Sequence, residues 1–435
     1  MRKNFINFVS ALLMGVVVSV SLVACGDDGG SSSSGGGAVQ PGNDDPVVDG
    51  QTMSSAEQKQ KLESVATQFM GYAKASDFTD IRDLANDLKT LYKDVDSRDV
   101  GEWWEQTLDN ITEYISGDDY YAEYKRVYST AQIKGHFTIS NGKWIRTDAN
   151  DLQISVKDSK GRDCVATLTT SGSTKTIFVG ESSDRDYQYV DGASKYTYSY
   201  YKNYADIPQN ISLVATVGGQ QMVKVDITTD INAINEELDL TRDRYNVTVN
   251  ATVKNYNVNV SRFIYQAQGQ AAITTTVKKD NVQLLSVIVE GTTKVSGGNG
   301  RYDLTNANAQ NINVDVLGQL QVKGSLDVIG VINAGNEIKS SDETTAKRAA
   351  ENMTILMKNI GIFYDGGSQK RAWVEAEAFQ KRSGYWNVRP VVCFDDGTKY
   401  AFDEYFTESS WKTVIDSANK VIRDFDNLIK SLNSK

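Results

Sequence analysis

Histidine is almost missing from this chain of 435 residues, because His136 is the only one. Zinc sites based on histidine, Ser-His-Asp triads and Cys-His pairs all combine a histidine with other groups in a fixed geometry. A single histidine therefore excludes most of these arrangements. His136 lies in an alternating apolar segment just before Asn141-Gly142, a dipeptide typical of hairpin turns. We expect His136 on the surface of a strand, with no catalytic role.

Cysteine and proline are also scarce, with three and four residues respectively. Only Pro208 and Pro390 lie beyond the first 50 residues, so little interrupts strand formation in the rest of the chain. Besides Cys25, the cysteines are Cys164 and Cys393. In an exported protein these two could form one disulfide, or they could remain two separate buried thiols. Their separation along the chain does not decide between the alternatives.

Motifs of the common catalytic and phosphate-binding sites are absent from the sequence. The chain contains no G-x-S-x-G elbow, no P-loop, no H-E-x-x-H and no EF-hand loop. Its formal net charge of −10 argues against nucleic acid and against docking on anionic lipid through basic residues. The paired acids Asp395-Asp396 precede Gly397, and Asp-Gly sequences are typical of turns for backbone reasons alone. We therefore predict no enzyme activity, no cofactor and no metal site.

The N-terminus has the order of an export signal. The basic residues Arg2 and Lys3 precede an apolar run over 11–18, which is too short for a comfortable membrane span. The segment Leu22-Val23-Ala24-Cys25 then resembles the lipobox of bacterial lipoproteins, in which the cysteine receives a diacylglyceryl group and becomes the first residue after cleavage. The resemblance implies a signal peptide over 1–24 and a lipid anchor on Cys25. A plain signal peptide is the alternative.

A Gly/Ser/Asp-rich stretch follows over 25–52 and is too polar to bury an apolar face, so we expect a flexible tether there. The acidic pair Asp27-Asp28 resembles the surface-export signals of Bacteroidota lipoproteins. That resemblance implies a protein held to the outer membrane by its N-terminal lipid and displayed at the cell surface. An acidic linker in a periplasm-facing lipoprotein is the alternative.

Hydrophobic periodicity divides the rest of the chain into three segments. A capping box at Ser54-Ser55-Ala56-Glu57 and three apolar stripes at helical spacing, the third from Val100 to Ile115, predict a helical segment over 53–125. Alternation with period two predicts an antiparallel sheet over 126–338, and 339–435 reads as helix, hairpin and helix. The fold class is therefore α+β: a large curved antiparallel β meander packed by N-terminal and C-terminal helices.

Several hairpin turns can be placed from the parity of apolar residues. Parity is kept across Gly218-Gly219-Gln220, which predicts a three-residue loop, and it flips at Lys254-Asn255, which predicts a two-residue turn or a bulge. Over 312–332 the apolar residues and several glycines share one parity. That segment would be one very long strand, or a hairpin with a three-residue loop at Lys323-Gly324-Ser325.

Tyrosine is the compositional outlier, because seven of the 22 tyrosines lie between Tyr187 and Tyr204. Tyr196, Tyr198 and Tyr200 alternate with polar residues, so a strand would place their rings on one face. Rigid amphipathic rings suit sugar stacking and protein interfaces alike. Cross-strand packing within the sheet is the alternative explanation.

Two functions of different kinds are consistent with these patterns. The apolar, glycine-bearing face over 312–332 resembles, in outline, the half-barrel lipid carriers of bacterial envelopes, which implies a non-enzymatic envelope protein that binds an apolar small molecule. The alternatives are a surface lipoprotein that binds a glycan or a host molecule through the tyrosine-rich strand, and a structural or partner-binding envelope component.

Overall fold

The computed structural model describes residues 52–94, 111–117, 120–129, 134–141, 143–190, 193–233, 239, 241–298, 301–336, 342–357, 359–381, 384–405, 407 and 411–433. The predicted signal peptide, Cys25 and all but the last residue of the predicted tether lie outside the described residues. Every described residue belongs to the compact unit that begins at Val48.

The helices are α1 (Ser55–Tyr72), α2 (Thr79–Asp94), α3 (Val328–Asn336), α4 (Glu343–Met357), α5 (Phe402–Tyr405) and α6 (Lys412–Asn433). A short 3₁₀ turn, Ala75–Phe78, joins α1 to α2. The predicted capping box at the start of α1 is confirmed, because the Ser54 side chain and the Glu57 side chain each accept from the other residue's backbone N–H.

Strands make up most of the described chain. They are β1 (Ile111–Gly117), β2 (Tyr121–Ser129), β3 (Gly135–Ser140), β4 (Lys143–Thr147), β5 (Leu152–Lys157), β6 (Asp163–Val190), β7 (Ala193–Val217), β8 (Gln220–Asn232), β9 (Arg244–Val253), β10 (Tyr256–Gln266), β11 (Gln270–Lys279), β12 (Val282–Gly298), β13 (Arg301–Val316), β14 (Leu320–Asp327), β15 (Gly361–Tyr364), β16 (Ala372–Gln380), β17 (Trp386–Phe394) and β18 (Lys399–Ala401).

These strands form one large sheet that is mostly antiparallel, in agreement with the predicted α+β class. From β5 to β18 each strand pairs antiparallel with the next one along the chain, which makes this part a meander. The first strands depart from the expected pure antiparallel order, because β2 pairs parallel with β7 and β3 pairs parallel with β5. Alternation of apolar residues identifies strands but carries no information about strand direction.

The predicted third helix is wrong at its C-terminal end. Ile111 and Ile115 belong to strand β1, while Val100, Trp104 and Leu108 lie outside the described residues. A spacing of four residues fits one face of a helix and also one face of a strand, so these two isoleucines could not distinguish the alternatives.

The observed turns test the predictions that were made from the alternation of apolar residues. Val253 pairs with Tyr256, which confirms a two-residue turn at Lys254-Asn255. Gly218-Gly219 also form a two-residue turn, not the expected three-residue loop, since Val217 pairs with Gln220. A register shift between Ala215 and Thr216 then restores the apolar parity that suggested the longer loop.

The segment 312–332 is neither one strand nor a hairpin at Lys323-Gly324-Ser325. Strand β13 ends at Val316, which pairs with Leu320 across a three-residue turn, and β14 continues only to Asp327. Helix α3 begins at Val328, so the last apolar residues of the segment belong to a helix. A three-residue turn preserves parity wherever it falls, and the regular pattern therefore concealed its position.

The segment from Met53 to Asp87, which contains α1, the 3₁₀ turn and part of α2, contacts a series of turns at one end of the sheet. Successive contacts along this segment reach turns that lie successively earlier in the chain, from the β17–β18 turn to the β5–β6 turn. The contacts join Met53 to Asp395, Lys61 to Asp365, Gln68 to Gln319, Asp77 to Lys279, Asp80 to Lys254 and Asp87 to Ser159. The twelve strand spacings between these two turns cover about 58 Å, and the chain from Met53 to Asp87 covers roughly 50 Å. The two lengths are therefore comparable.

Two buried apolar clusters lie near the ends of this helical segment. In the first, Leu62 of α1 packs against a cluster that contains Phe394 and Trp411. In the second, Ile81 and Leu84 of α2 pack against a cluster of Val156, Cys164, Val217 and Met222. Side chains from both helices therefore contribute to burial in the sheet.

Candidate functional site

The hairpin of β6 and β7 is the longest element of the fold. Its strands have 28 and 25 residues, which corresponds to roughly 80–90 Å, several times the length of an ordinary strand. Strand β5 pairs with β6 only over Asp163–Leu168, and β8 pairs with β7 only over Asn210–Val217. In the described part of the chain, β2 is the one further strand that borders this hairpin.

Strand β7 confirms the predicted tyrosine arrangement. Tyr196, Tyr198 and Tyr200 lie on one face, with Tyr196 36% and Tyr200 43% exposed. The register adds Tyr187 of β6 opposite Tyr196 and Tyr121 of β2 opposite Tyr198. We call these five side chains the tyrosine face.

The rings of the tyrosine face contact one another. The Tyr121 ring stacks on Tyr198 and on Tyr200, with centroid distances of 5.7 and 6.1 Å and interplanar angles of 19° and 21°. The Tyr187 ring lies 5.2 Å from that of Tyr196 in a tilted arrangement. Tyr121 and Tyr187 are 53% and 52% exposed, so cross-strand contact has not removed the surface from water. Exposure of this much aromatic area is typical of a recognition surface.

Arg185 lies on the same face of the hairpin, opposite Tyr198. Its guanidinium carbon is 3.9 Å from the centre of the Tyr196 ring and 5.6 Å from that of Tyr198, distances typical of cation–π contacts. Among the described residues, no carboxylate pairs with it. Glu123 is also on this face, opposite Tyr200, and it accepts a long hydrogen bond of 3.5 Å from Ser116 Oγ.

The opposite face of the hairpin also carries aromatic side chains. The rings of Tyr124 and Tyr201 stack at 5.3 Å, Tyr114 meets Tyr124 edge-on at 5.7 Å, and the Arg126 guanidinium lies 3.7 Å from the centre of the Tyr201 ring. Tyr114 is 57% exposed. Aromatic area is therefore available on both faces where β2 borders the hairpin.

Tyr204, toward the base of the hairpin, packs within the sheet. Such packing was the alternative explanation for all seven tyrosines of this cluster. Tyr204 is buried, its ring meets Phe178 edge-on at 5.5 Å, and the Lys125 ammonium lies 4.7 Å from its centre. Burial thus separates Tyr204, which packs within the sheet, from the exposed rings of the tyrosine face.

His136 lies on strand β3 with its side chain 40% exposed, and its Nε2 is 2.8 Å from Asp151 Oδ1. The two side chains form one hydrogen bond on the surface of the sheet. The expectation that the histidine occupies a strand surface is confirmed.

The two cysteines in the described residues are free thiols, so the disulfide considered from sequence is not formed. Cys164 belongs to the second apolar cluster and Cys393 is fully buried in β17. Burial raises the pKa of both thiols, and with the nearby carboxylate of Glu375 it raises that of Cys393 to about 11. Neither thiol is poised as a nucleophile.

Asp395 and Asp396 occupy the predicted turn and also bind the N-terminal helix. Asp395 Oδ2 pairs with Arg371 at 3.0 Å, and its Oδ1 accepts from the buried Gln58 side chain at 2.9 Å. Asp396 Oδ2 accepts from the backbone N–H of Ser55 at 2.9 Å. These carboxylates are structural, a role that the turn motif alone did not reveal.

A groove of about 550 Å³ lies between helix α4 and strand β16. Thr354 Oγ1 of the helix accepts from the N–H of Ala376 at 2.9 Å and donates to its carbonyl at 3.2 Å, so the helix takes the place of a neighbouring strand at that edge. Charged and apolar side chains line the groove together: Lys347, Glu351, Glu375 and Glu377 with Ala350, Ile355, Ala376 and Ala378.

Two further kinds of feature are absent from the described part of the chain. No group of three or more His, Cys, Asp or Glu side chains there is arranged to hold a metal ion. None of the described helices combines the length and apolar composition that crossing a membrane requires.

Together the fold and this surface define a class: a protein built on one large, mostly antiparallel sheet whose longest hairpin displays aromatic rings. No family model, no characterised protein and no solved structure matches the chain.

Proposed function

We propose that this chain is a non-enzymatic lipoprotein of the bacterial outer membrane that binds carbohydrate at the cell surface through the tyrosine face. The observation that carries the proposal is the set of exposed, mutually contacting rings on one side of the hairpin. Exposed amphipathic rings offer apolar area to the C–H face of a sugar, while their phenol groups can exchange hydrogen bonds with its hydroxyls.

The polar side chains around the rings suit the same ligand. Ser183 of β6 and Glu123 of β2 flank Tyr200 on opposite sides, so a hydroxyl and a carboxylate border the central rings. Sugar binding sites generally combine an apolar surface with a few polar groups that fix orientation. A protein partner, such as a host molecule, is the other candidate that this surface could accept.

The location rests on the N-terminal sequence. Lipidation of Cys25 would attach the chain to the membrane, with the Gly/Ser/Asp-rich sequence over 25–52 as the link to the rest of the chain. Display at the cell surface follows from the acidic residues after Cys25, with a periplasm-facing lipoprotein as the alternative.

Apolar-ligand binding, favoured by the sequence pattern, now has weaker support. The apolar residues of 312–332 do not form one face, because they are divided among β13, β14 and α3. Gln321, one of the alternating polar residues, is buried, whereas the apolar Val314 and Val322 are only half-buried. We further propose that the sheet curves around α1, α2 and α6, which the helix contacts with both apolar clusters support.

Affinity electrophoresis of the full-length protein in detergent tests the carbohydrate proposal. The gels contain laminarin, xylan or dextran as neutral polymers, or polygalacturonate, alginate or hyaluronan as acidic ones. We expect at least one polymer to retard the protein. Replacing Tyr121 and Tyr187 by Ala should remove about 2 kcal/mol, roughly a thirtyfold loss in affinity.

Tyr385→Ala is the matched control, because Tyr385 is 64% exposed and lies outside the tyrosine face. It should leave the retardation unchanged. No retardation of the wild-type protein by any of the six polymers, or an equal loss in the control variant, would contradict carbohydrate binding through the tyrosine face.

A further inference from the structure

Arg185 is a charged side chain on the tyrosine face, and stacking of a sugar on the rings does not require it. The guanidinium is held over Tyr196, and stacking leaves its in-plane N–H groups directed away from the ring. No described carboxylate pairs with this side chain, whereas most other arginines of the described sheet have an acidic partner, for example Arg262 with Glu290 and Arg389 with Glu377. A positioned cation with unused donors points to an anionic group on the ligand.

The neighbouring acids do not neutralise this position. Asp184 and Asp186 adjoin Arg185 in sequence, but alternation along a strand directs them to the opposite face of the hairpin. Asp186 Oδ1 accepts from the backbone N–H of Tyr187 at 3.1 Å. Glu123 and Glu181 share the tyrosine face, but Glu123 lies two residue pairs farther along and two strands away, and Glu181 lies four residues from Arg185 along β6. An anion would therefore bind at the Arg185 end of the face, away from Glu123.

A guanidinium binds a planar carboxylate in a bidentate way, because two parallel N–H groups match its two oxygens. The uronic acids are a class of sugars that combine a C–H face for stacking with such a carboxylate. Resting on the proposed carbohydrate function, we propose that the tyrosine face recognises a uronic-acid glycan, with the sugar ring on Tyr187 and the carboxylate on Arg185, whose guanidinium covers the neighbouring Tyr196 ring.

The test uses one polymer in two charge states. Full-length protein in detergent is titrated with polygalacturonate, alginate or hyaluronan, and with the methyl-esterified form of each, which keeps the sugar and removes the charge. We expect the wild-type protein to bind at least one free acid about tenfold more tightly than its ester. Added salt should reduce the difference.

Three variants assign the preference to Arg185. Arg185→Gln should lower affinity for the free acid about tenfold and affinity for the ester less than twofold. Arg185→Lys keeps the charge but not the planar fork, so it should recover only part of the preference. Arg244→Gln, which changes another exposed arginine of the sheet, should have no effect. Unchanged melting temperatures exclude misfolding as the cause.

The outcomes separate this inference from the proposed function. If the wild-type protein binds acid and ester equally, or if Arg185→Gln retains the preference, uronic-acid recognition is overturned while carbohydrate binding stands. If none of the acidic or neutral polymers binds, both proposals fail together.

Discussion

At the scale of single residues, Lys279 and Asp77 form the most buried ion pair between the helical segment and the sheet. The Lys279 side chain is 8% exposed, and its ammonium also donates to the carbonyl of Tyr72 at 3.0 Å. The Tyr256 hydroxyl donates to Asp77 Oδ2 at 2.7 Å. Two side chains of the sheet, Lys279 and Tyr256, therefore donate to the one carboxylate of Asp77.

That charge makes stability depend on pH. Burial on its own would raise the pKa of Asp77, but hydrogen bonds from Lys279 and Tyr256, with the positive charge of Lys279, outweigh it and lower the pKa. The carboxylate contributes stability that is present above its unfolded pKa, near 3.9, and is lost as the pH falls through the lower folded value.

Asp77→Asn should therefore cost about 2 kcal/mol at pH 7 and should flatten the loss of stability below pH 4. Urea midpoints between pH 2 and pH 7 measure both effects. Asp148→Asn is the control, because the Asp148 side chain is 91% exposed. If the urea midpoint falls equally steeply with decreasing pH in wild type and in Asp77→Asn, the role assigned to this ion pair is contradicted.

The buried thiols give a second prediction at the residue scale. Since only the thiolate reacts quickly, the raised pKa values of Cys164 and Cys393 should keep both unreactive toward Ellman's reagent at pH 8 in the folded protein. After unfolding in guanidinium without reductant, two thiols should react. A count of zero in the unfolded chain would mean that the two cysteines form a disulfide.

At the scale of elements, a strand, a turn and a helix should differ in how well they tolerate replacement of a glycine. A Cβ added to Gly291 in β12 would lie 1.9 Å from the carbonyl oxygen of Asn308 on β13, so the strands would have to separate. Gly366 has a positive φ of 74° but open space around it, and Gly71 in α1 has neither restriction.

We expect Gly291→Ala to destabilise the protein by about 2–3 kcal/mol and Gly366→Ala by about 1 kcal/mol, from backbone strain alone. Gly71→Ala should stabilise by up to about 1 kcal/mol through helix propensity. Free energies of unfolding from urea titrations would show this order, and a neutral Gly291→Ala would argue against the close pairing of β12 with β13.

The elements also show what the sequence could predict. Local signals located the capping box at Ser54, the turn at Lys254-Asn255 and the final helix, because each depends on residues a few positions apart. Tyr121 could not be assigned to the tyrosine face, since it reaches Tyr198 through a parallel pairing between distant parts of the chain. Arg185 could not be assigned to the tyrosine face from sequence for the same reason, because its contacts depend on which tyrosine rings the strand register places beside it.

At the scale of the whole molecule, anchoring should depend on one atom, the Sγ of Cys25. Cys25→Ser should move the protein from the detergent phase to the aqueous phase, or leave an uncleaved precursor in the membrane fraction. Phase partitioning with immunoblotting measures both outcomes. Unchanged partitioning and unchanged size of the variant would remove the lipoprotein interpretation.

The ordered contacts of α1 and α2 with successive turns have a mechanical consequence. A pull applied at residue 53 loads the contact of Met53 with Asp395 before the contacts farther along the helices. The contacts would then break in sequence, as in peeling, and not all at once, as in shear. We expect single-molecule pulling from residue 53 to show small, stepwise extensions at low force before the sheet itself yields, so that the helical segment would protect the sheet from sudden load.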